Sequence, residues 1–292
     1  MRILLFGANG WIGQQFSAQT RHTIIIATTR PENYEDALNE IRTISPDSVV
    51  SMIGRTHGTL DDGTHVPTID YLEHPGKLYE NMRDNYIAPI NLAKICNTLN
   101  IHYVYLGTGC IYTYTDDKQT FTEYDAPNFF GSSYSIVKGF TNTSIQEYST
   151  TLQLRIRMPI SKNASPRNLI DKLISYKNIC SIPNSMTVLD DMWPIIDKMI
   201  DNKTTGTYNM CNPGTAEHKW ILSQYKRLIE PAHTWTDVSY DEQMKHIRSH
   251  RSNNTMTTTK LEQFCKENGL TLPHIQDSIT RCIFARCLRP LQ

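Results

Sequence analysis

The chain has 292 residues, enough for one large α/β domain with a smaller appendage. Lys+Arg and Asp+Glu both number 29, so no basic stripe points to nucleic acid and no acidic run points to a solvating tail. No apolar stretch reaches the roughly 18 residues a membrane helix needs, and MRILLFGANGWIG is apolar too briefly for a signal peptide, so a soluble, cytoplasmic protein is expected.

In chain order, strands are predicted at Arg2–Phe6, Thr23–Ala27, Ser48–Ile53, Tyr103–Gly107 and Leu152–Met158. Helices are predicted between them, at Trp11–Gln19, Asn33–Arg42, Leu78–Leu99 and Ser133–Tyr148. Continuous apolar runs such as Ile24–Ala27 and Val49–Ile53 suit parallel strands covered on both faces. Strand and helix alternating in this way predict an α/β fold with a doubly wound parallel sheet, of the Rossmann type. Thr56–Thr68 reads as a polar surface loop. Beyond about residue 158, prolines 159, 166, 183, 194, 213 and 231 break the pattern. Helices at Pro166–Tyr176 and Glu217–Ile229 are expected there, with Asn253–Thr259 a further loop. The division expected is a dinucleotide-binding domain over 1–158. Residues 159–292 would form mainly a substrate-binding region, with some segments returning to the core.

Seven cysteines without a Cys-x-x-Cys pair argue against a zinc site or a disulfide framework, and no metal is expected. Most read as small core residues in a reducing compartment.

Gly7, Gly10 and Gly13 follow the first strand and open the first helix. Gly7 would permit the tight turn, Gly10 the approach of a pyrophosphate, and Gly13 the packing of helix on sheet. Free N–H groups at the helix start then face the phosphates. Asn9, Trp11 and Ile12 belong to the same loop and join the expected cofactor contacts. The second strand ends in Thr28, Thr29 and Arg30, where an NAD site normally has an acidic residue. Thr29 and Arg30 at that position favour NADPH, because a guanidinium can pair with a 2′-phosphate.

Tyr134 and Lys138 form Tyr-x-x-x-Lys, which puts both side chains on one helix face. An ammonium beside a phenol favours the phenolate, so the pair can exchange a proton with a carbonyl oxygen near neutral pH.

With the glycine motif, this pattern resembles the extended short-chain dehydrogenases/reductases. By that resemblance Thr108 is the third catalytic position, hydrogen-bonding the substrate carbonyl, and Asn85 is the structural asparagine. TGCIY, NFFGSSYSIVK, LRIRMPIS, PRNLIDK, IPNSMTVLDD, YNMCNPG and RSNN are similar, in order, to segments of the C-terminal half of plant UDP-rhamnose synthase. That half belongs to the bifunctional UDP-4-keto-6-deoxy-D-glucose 3,5-epimerases/4-reductases, of which stand-alone forms occur in giant viruses. The resemblance implies a UDP-linked 4-keto-6-deoxy sugar as substrate, NADPH as cofactor, UDP-L-rhamnose as product, and a separate 4,6-dehydratase upstream.

A ketone at C4 acidifies the hydrogens on C3 and C5, and inversion needs acid/base groups on both ring faces. The resemblance assigns these roles to Cys110 and Lys172, with Lys162 the nearest competitor and Arg167 a neighbour able to loosen the lysine proton. Thr108, Gly109, Cys110, Asn168 and Arg251 are the expected substrate contacts, the last two for the nucleotide end. A 4-keto-sugar reductase without epimerase activity and a non-catalytic NADP-binding regulatory subunit are the alternatives. A homodimer stays open.

Overall fold

A computed structural model describes residues 1–287. Its first part runs β1 (Arg2–Phe6), α1 (Trp11–Gln19), β2 (Thr23–Ile26), α2 (Tyr34–Ile44) and β3 (Ser48–Ser51). A small hairpin, β4 (Gly58–Thr59) with β5 (His65–Val66), then leads through a 3-10 turn, Ile69–Glu73, to α3 (Leu78–Met82). A π turn, Arg83–Ile87, joins α3 to α4 (Ala88–Leu99). Next come β6 (His102–Thr108), β7 (Thr120–Phe121), α5 (Ser133–Ile145) and β8 (Thr151–Ile156). The remainder holds α6 (Leu169–Ser175), β9 (Asn178–Ile179), α7 (Leu189–Asp201), β10 (Gly206–Asn209) and α8 (His218–Leu228). It ends with β11 (Thr236–Asp237), α9 (Tyr240–Met244), β12 (Thr255–Met256), α10 (Thr259–Glu267) and α11 (Ile275–Cys287).

Six strands form one parallel sheet in the order β10-β8-β6-β3-β1-β2. The chain steps outward from β1 to β2, then returns to β3 on the other side of β1. That reversal opens a crevice at the carboxyl ends of the strands, where doubly wound sheets bind ligands. Alternation explains why the strands are apolar on both sides. Ile3, Leu5, Val50, Val104 and Leu106 pack into one layer with α1, α7 and α10. Leu4, Phe6, Val49, Tyr103 and Tyr105 pack into the opposite layer with α2 and α4. A third apolar cluster, built on Ile170, Leu173, Ile221, Leu222, Ile279 and Ile283, ties α6, α8 and α11 into a separate lobe.

Three expectations change. Leu78–Leu99 is not one regular helix, because the π turn interrupts it. Asn85 anchors that turn: its side chain accepts from Arg55 N at 3.0 Å and donates to Arg55 O and Asn81 Oδ1, each at 2.9 Å. Pro194 does not break the chain but sits inside α7. The buried face of Leu189, Met192, Trp193, Ile196 and Ile200 outweighs the one backbone hydrogen bond that proline forgoes. Asn253–Thr259 is not a surface loop: β12 pairs with β7, and Asn254 is wholly buried, donating to Gly109 O and Tyr112 O at 3.0 and 2.9 Å.

The turn after β1 is closely packed. Gly7 has φ +82°, and a Cβ there would lie 2.8 Å from the Met52 backbone carbon. A Cβ on Gly13 would collide with the Gly7 carbonyl. Gly13→Ala is therefore expected to cost about 1–3 kcal/mol, read as a lower thermal unfolding midpoint, together with weaker dinucleotide binding by fluorescence titration.

Candidate active site

The crevice is a cavity of about 770 Å³ running from Gly10, Trp11 and Ile12 past Thr108, Tyr134 and Lys138 to Lys172, Tyr176 and Arg251. At its first end, Gly10 is the extended N-cap of α1 and offers no capping side chain, which leaves the leading amides of the helix for an anionic ligand. Together with the close Gly7–Gly13 packing, this fits a dinucleotide pyrophosphate. Gly7 and Gly13 shape the turn from behind and do not line the cavity. Asn9 is exposed beside it, its carbonyl accepting from Gln14 Nε2 at 3.1 Å.

The β2–α2 loop is differently arranged from expectation. Thr28 N and Oγ1 both donate to Glu40 at 2.7 Å, Thr29 N donates to it at 3.1 Å, and Thr29 Oγ1 also donates to it. Burial pushes the Glu40 carboxyl up, but these hydrogen bonds win and hold it below its ordinary range. Arg30 lies mostly in solvent, 3.8 Å from Glu32. The donors expected to meet a 2′-phosphate are thus partly occupied by Glu40, a residue that α2 carries and that sequence reasoning missed.

Tyr134 and Lys138 lie on α5, whose start is fixed by Ser132: its hydroxyl accepts from Ser135 N at 3.1 Å, and Glu73 accepts from Ser133 N at 2.7 Å. Both side chains are buried and both line the cavity. Thr108, at the end of β6, is buried beside them. Burial raises the Tyr134 phenol above its ordinary value, the nearby Cys110 adds to this, and a hydrogen bond with Thr108 opposes it. Burial lowers Lys138 to about 7, opposed by Cys110. Lys138 Nζ donates to Tyr105 Oη at 2.5 Å and not to Tyr134. The expected lowering of the phenol by the ammonium is therefore not realised; burial dominates, and Tyr134 keeps its proton.

Cys110 is half-buried, its backbone N–H donating to Thr108 Oγ1 at 3.1 Å. Its Sγ lies 3.5 Å from Arg157 Nη1. Lys172, on α6, also lines the cavity, and burial lowers its pKa, with Arg167 and Arg251 adding repulsion. Lys162 instead pairs with Asp190 at 3.2 Å, outside the cavity lining.

Among the expected substrate contacts, Arg251 lines the cavity and pairs with Asp70 at 2.5 Å. Burial would raise Asp70, yet Arg251 and hydrogen bonds from Thr68 and Ser249 hold its carboxyl well below the usual range. Two expectations are corrected. Asn168 is wholly buried and caps α6, accepting from Ile170 N at 3.2 Å while donating to Ser161 O at 2.6 Å and Asn163 O at 2.9 Å. It has no face left for a ligand. Gly109 does not line the cavity either: Met256 fills the space beside its Cα, and its carbonyl accepts from Arg157 and Asn254. Missed by the sequence were His57, Tyr176 and Arg157, which all line the cavity.

No protein-family model matches the chain. The protein L780 of Acanthamoeba polyphaga mimivirus is 44% identical over 97% of this chain and 99% of its own length. Its crystal structure, described as that of the L780 UDP-rhamnose synthase, matches with a TM-score of 0.91 over 98% of this chain and 99% of that one. An Arabidopsis thaliana bifunctional dTDP-4-dehydrorhamnose 3,5-epimerase/dTDP-4-dehydrorhamnose reductase is 33% identical over 96% of this chain and 92% of its own length. A dTDP-4-dehydrorhamnose reductase from Bacillus anthracis, solved in complex with NADP, shares the fold at 17% identity, with a TM-score of 0.75 over 96% of each chain.

Burial, with Arg167, His65, Arg55 and Lys172 nearby, lowers His57 to about 4. An unfolded histidine titrates near 6.5, so protons bind the unfolded chain first. The stability linked to His57 is whole above about pH 6.5 and is lost as the pH falls toward about 4. His57→Gln should flatten that part of the thermal-unfolding profile against pH.

Proposed function

Because the chain belongs to the family of bifunctional nucleotide-sugar 3,5-epimerases/4-keto-reductases, we propose that it converts UDP-4-keto-6-deoxy-D-glucose to UDP-L-rhamnose with NADPH. The observation that carries this reading is the gathering of Thr108, Tyr134 and Lys138 with Cys110 and Lys172 around one cavity. A reductase alone needs only the first three.

In this reading residues 1–158 hold the cofactor and 159–292 mainly the sugar nucleotide. Thr108 orients the C4 carbonyl. Cys110 and Lys172 stand on opposite faces of the ring, one removing a proton from C3 or C5 and the other returning one, while the electron pair rests on the C4 oxygen. Lys172 suits the task because its proton is loosened by burial and two guanidinium neighbours. When bound, a reduced nicotinamide supplies the hydride for C4. Tyr134 gives its proton to the oxygen that becomes the C4 hydroxyl, a role that fits a phenol held protonated by burial. Lys138, one helical turn on and lining the same cavity, supports it.

Arg167 and Arg251, the latter paired with Asp70, line the cavity and offer guanidinium donors to the diphosphate of the substrate. A separate 4,6-dehydratase must supply the keto sugar. A trifunctional Arabidopsis thaliana protein that includes a UDP-glucose 4,6-dehydratase is 33% identical over 97% of this chain, which covers 42% of that protein's length. A cytoplasmic location accompanies the reading, since free cysteines suit a reducing compartment.

Product analysis with UDP- and dTDP-4-keto-6-deoxyglucose in D2O tests the proposal. Deuterium should enter C3 and C5, and NADPH should be consumed to give the rhamnose nucleotide. Sugar reduced without deuterium would leave a reductase only. Tyr134→Phe should lower reduction by about 10²–10⁴-fold and keep most ring exchange. Loss of exchange as well, in a folded variant, would contradict the division of labour.

A further inference from the structure

Arg157 follows β8 and is 1% exposed, yet no Asp or Glu among the described residues forms an ion pair with it. Its guanidinium is held by neutral groups. Nη1 donates to Ser252 Oγ at 2.9 Å and Gly109 O at 3.4 Å; Nη2 donates to Ser252 O at 2.6 Å and to Asn184 Oδ1. Nε has no partner. Arg155, two residues earlier and also buried, is served differently, with Glu123 and Asp125 close enough to favour its charge. A buried cation without an anion is costly, and it favours the ionised form of an acidic group beside it.

The ionisable neighbours of this guanidinium are two thiols and His218, whose imidazole is held below its ordinary value first by burial, with Arg157 adding to this and a hydrogen bond with the Cys180 carbonyl opposing it. Cys110 Sγ lies 3.5 Å from Nη1 and borders the cavity. Cys211 also feels Arg157, but it is wholly buried, and burial pushes its thiol up to about 12. Cys110 is faced in addition by Tyr134 and Lys138 from α5 and by the Thr108 hydroxyl from β6. None of these is an anion when Tyr134 is protonated.

We infer that Arg157 is the counter-ion of a Cys110 thiolate and so makes Cys110 the base that opens each epimerisation. The inference rests on the reading of Cys110 as an acid/base group. The thiolate takes the proton from the ring carbon, the C–H electron pair passes to the C4 oxygen, and an S–H bond forms. The Lys172 ammonium then protonates the same carbon from the other face, and the C4 carbonyl is restored. Cys110 is left as thiol and Lys172 as amine, and exchange with water resets both. Arg157 touches no reacting atom of the sugar in this scheme; it is a positioning residue that acts through Cys110.

The test compares wild type with Arg157→Gln, Arg157→Lys, Asn184→Asp and Cys110→Ser, each loaded with NADPH. Alkylation of Cys110 by iodoacetamide is followed by peptide mass spectrometry at about pH 7 and about pH 9. Deuterium entry at C3 and C5 is measured alongside reduction of a keto sugar already epimerised. In Arg157→Gln, alkylation at the lower pH and deuterium entry should each fall about tenfold, with alkylation much less affected at the higher pH. Reduction should fall less than exchange does. Arg157→Lys should recover part of both losses. Asn184→Asp places a carboxylate against Nη2 at nearly unchanged shape, so it should slow alkylation and exchange in the same direction; it carries the test if Arg157→Gln does not fold. Wild-type alkylation and exchange in the folded variants, with exchange lost in Cys110→Ser, would overturn the role of Arg157 alone. Exchange retained in Cys110→Ser would overturn the underlying reading of Cys110, and the inference with it.

Discussion

The pairing of β6 with β8, in register from Tyr103 opposite Thr151 to Thr108 opposite Ile156, places the chemistry of this chain. Parallel strands end together, so the residues that follow Thr108 and Ile156 emerge at the same edge. Cys110 comes from one strand and Arg157 from the other, and the Gly109 N–H donates to Ile156 O at 2.9 Å to continue the ladder one step further. A shift of one residue would send Thr108 to the opposite face of the sheet. The α5 helix packs across this pair, and the buried Lys138–Tyr105 contact ties it to β6.

The second constraint is polar and lies along β8. Gln153 and Arg155 on β8, and Arg157 just beyond its end, are buried polar side chains. Gln153 and Arg155 both donate to Asn142 Oδ1 of α5, at 2.9 and 2.7 Å. Arg157 reaches the other way, to Asn184 and Ser252 of the distal segments. The strand and the residue after it thus link α5, which carries Tyr134 and Lys138, to distal segments that border the cavity. Buried hydrogen bonds of this kind give little net stability but are expensive to break, which fixes the relative placement of the two parts.

Much of this was legible in the sequence where local rules dominate. The glycine turn, the alternation of strand and helix, and the one-turn spacing of Tyr134 and Lys138 follow from backbone geometry and periodicity alone. What was not legible depended on distant partners. Asn168 read as a ligand contact because it sits in a distinctive segment, but local hydrogen bonding turned it into a helix cap. Thr28 and Thr29 promised free donors, and Glu40, a turn and more along α2, takes them. Pro194 read as punctuation because proline disfavours helices, and burial of one face of α7 overrode that preference. Arg157 lay inside the predicted strand Leu152–Met158 with no role assigned to it; its lack of an acidic partner becomes visible once the chain is folded.

The π turn at Arg83–Ile87 carries a consequence for how this scaffold tolerates change in length. Each residue advances a helix by about 100°, so the extra residue in the turn sets the rotational phase between its two flanks. Upstream, Asn81 reaches Ser133 at the head of α5; downstream, Leu92, Ala93 and Cys96 face the sheet. Asn85, inside the turn, is bound on all sides, and its carbonyl accepts from Thr141 of α5 at 2.6 Å. Removing a single residue here would turn one flank away from its partners, whichever flank kept its place. The segment works as a spacer of fixed count, closed to insertion and deletion even though several of its residues tolerate partial exposure.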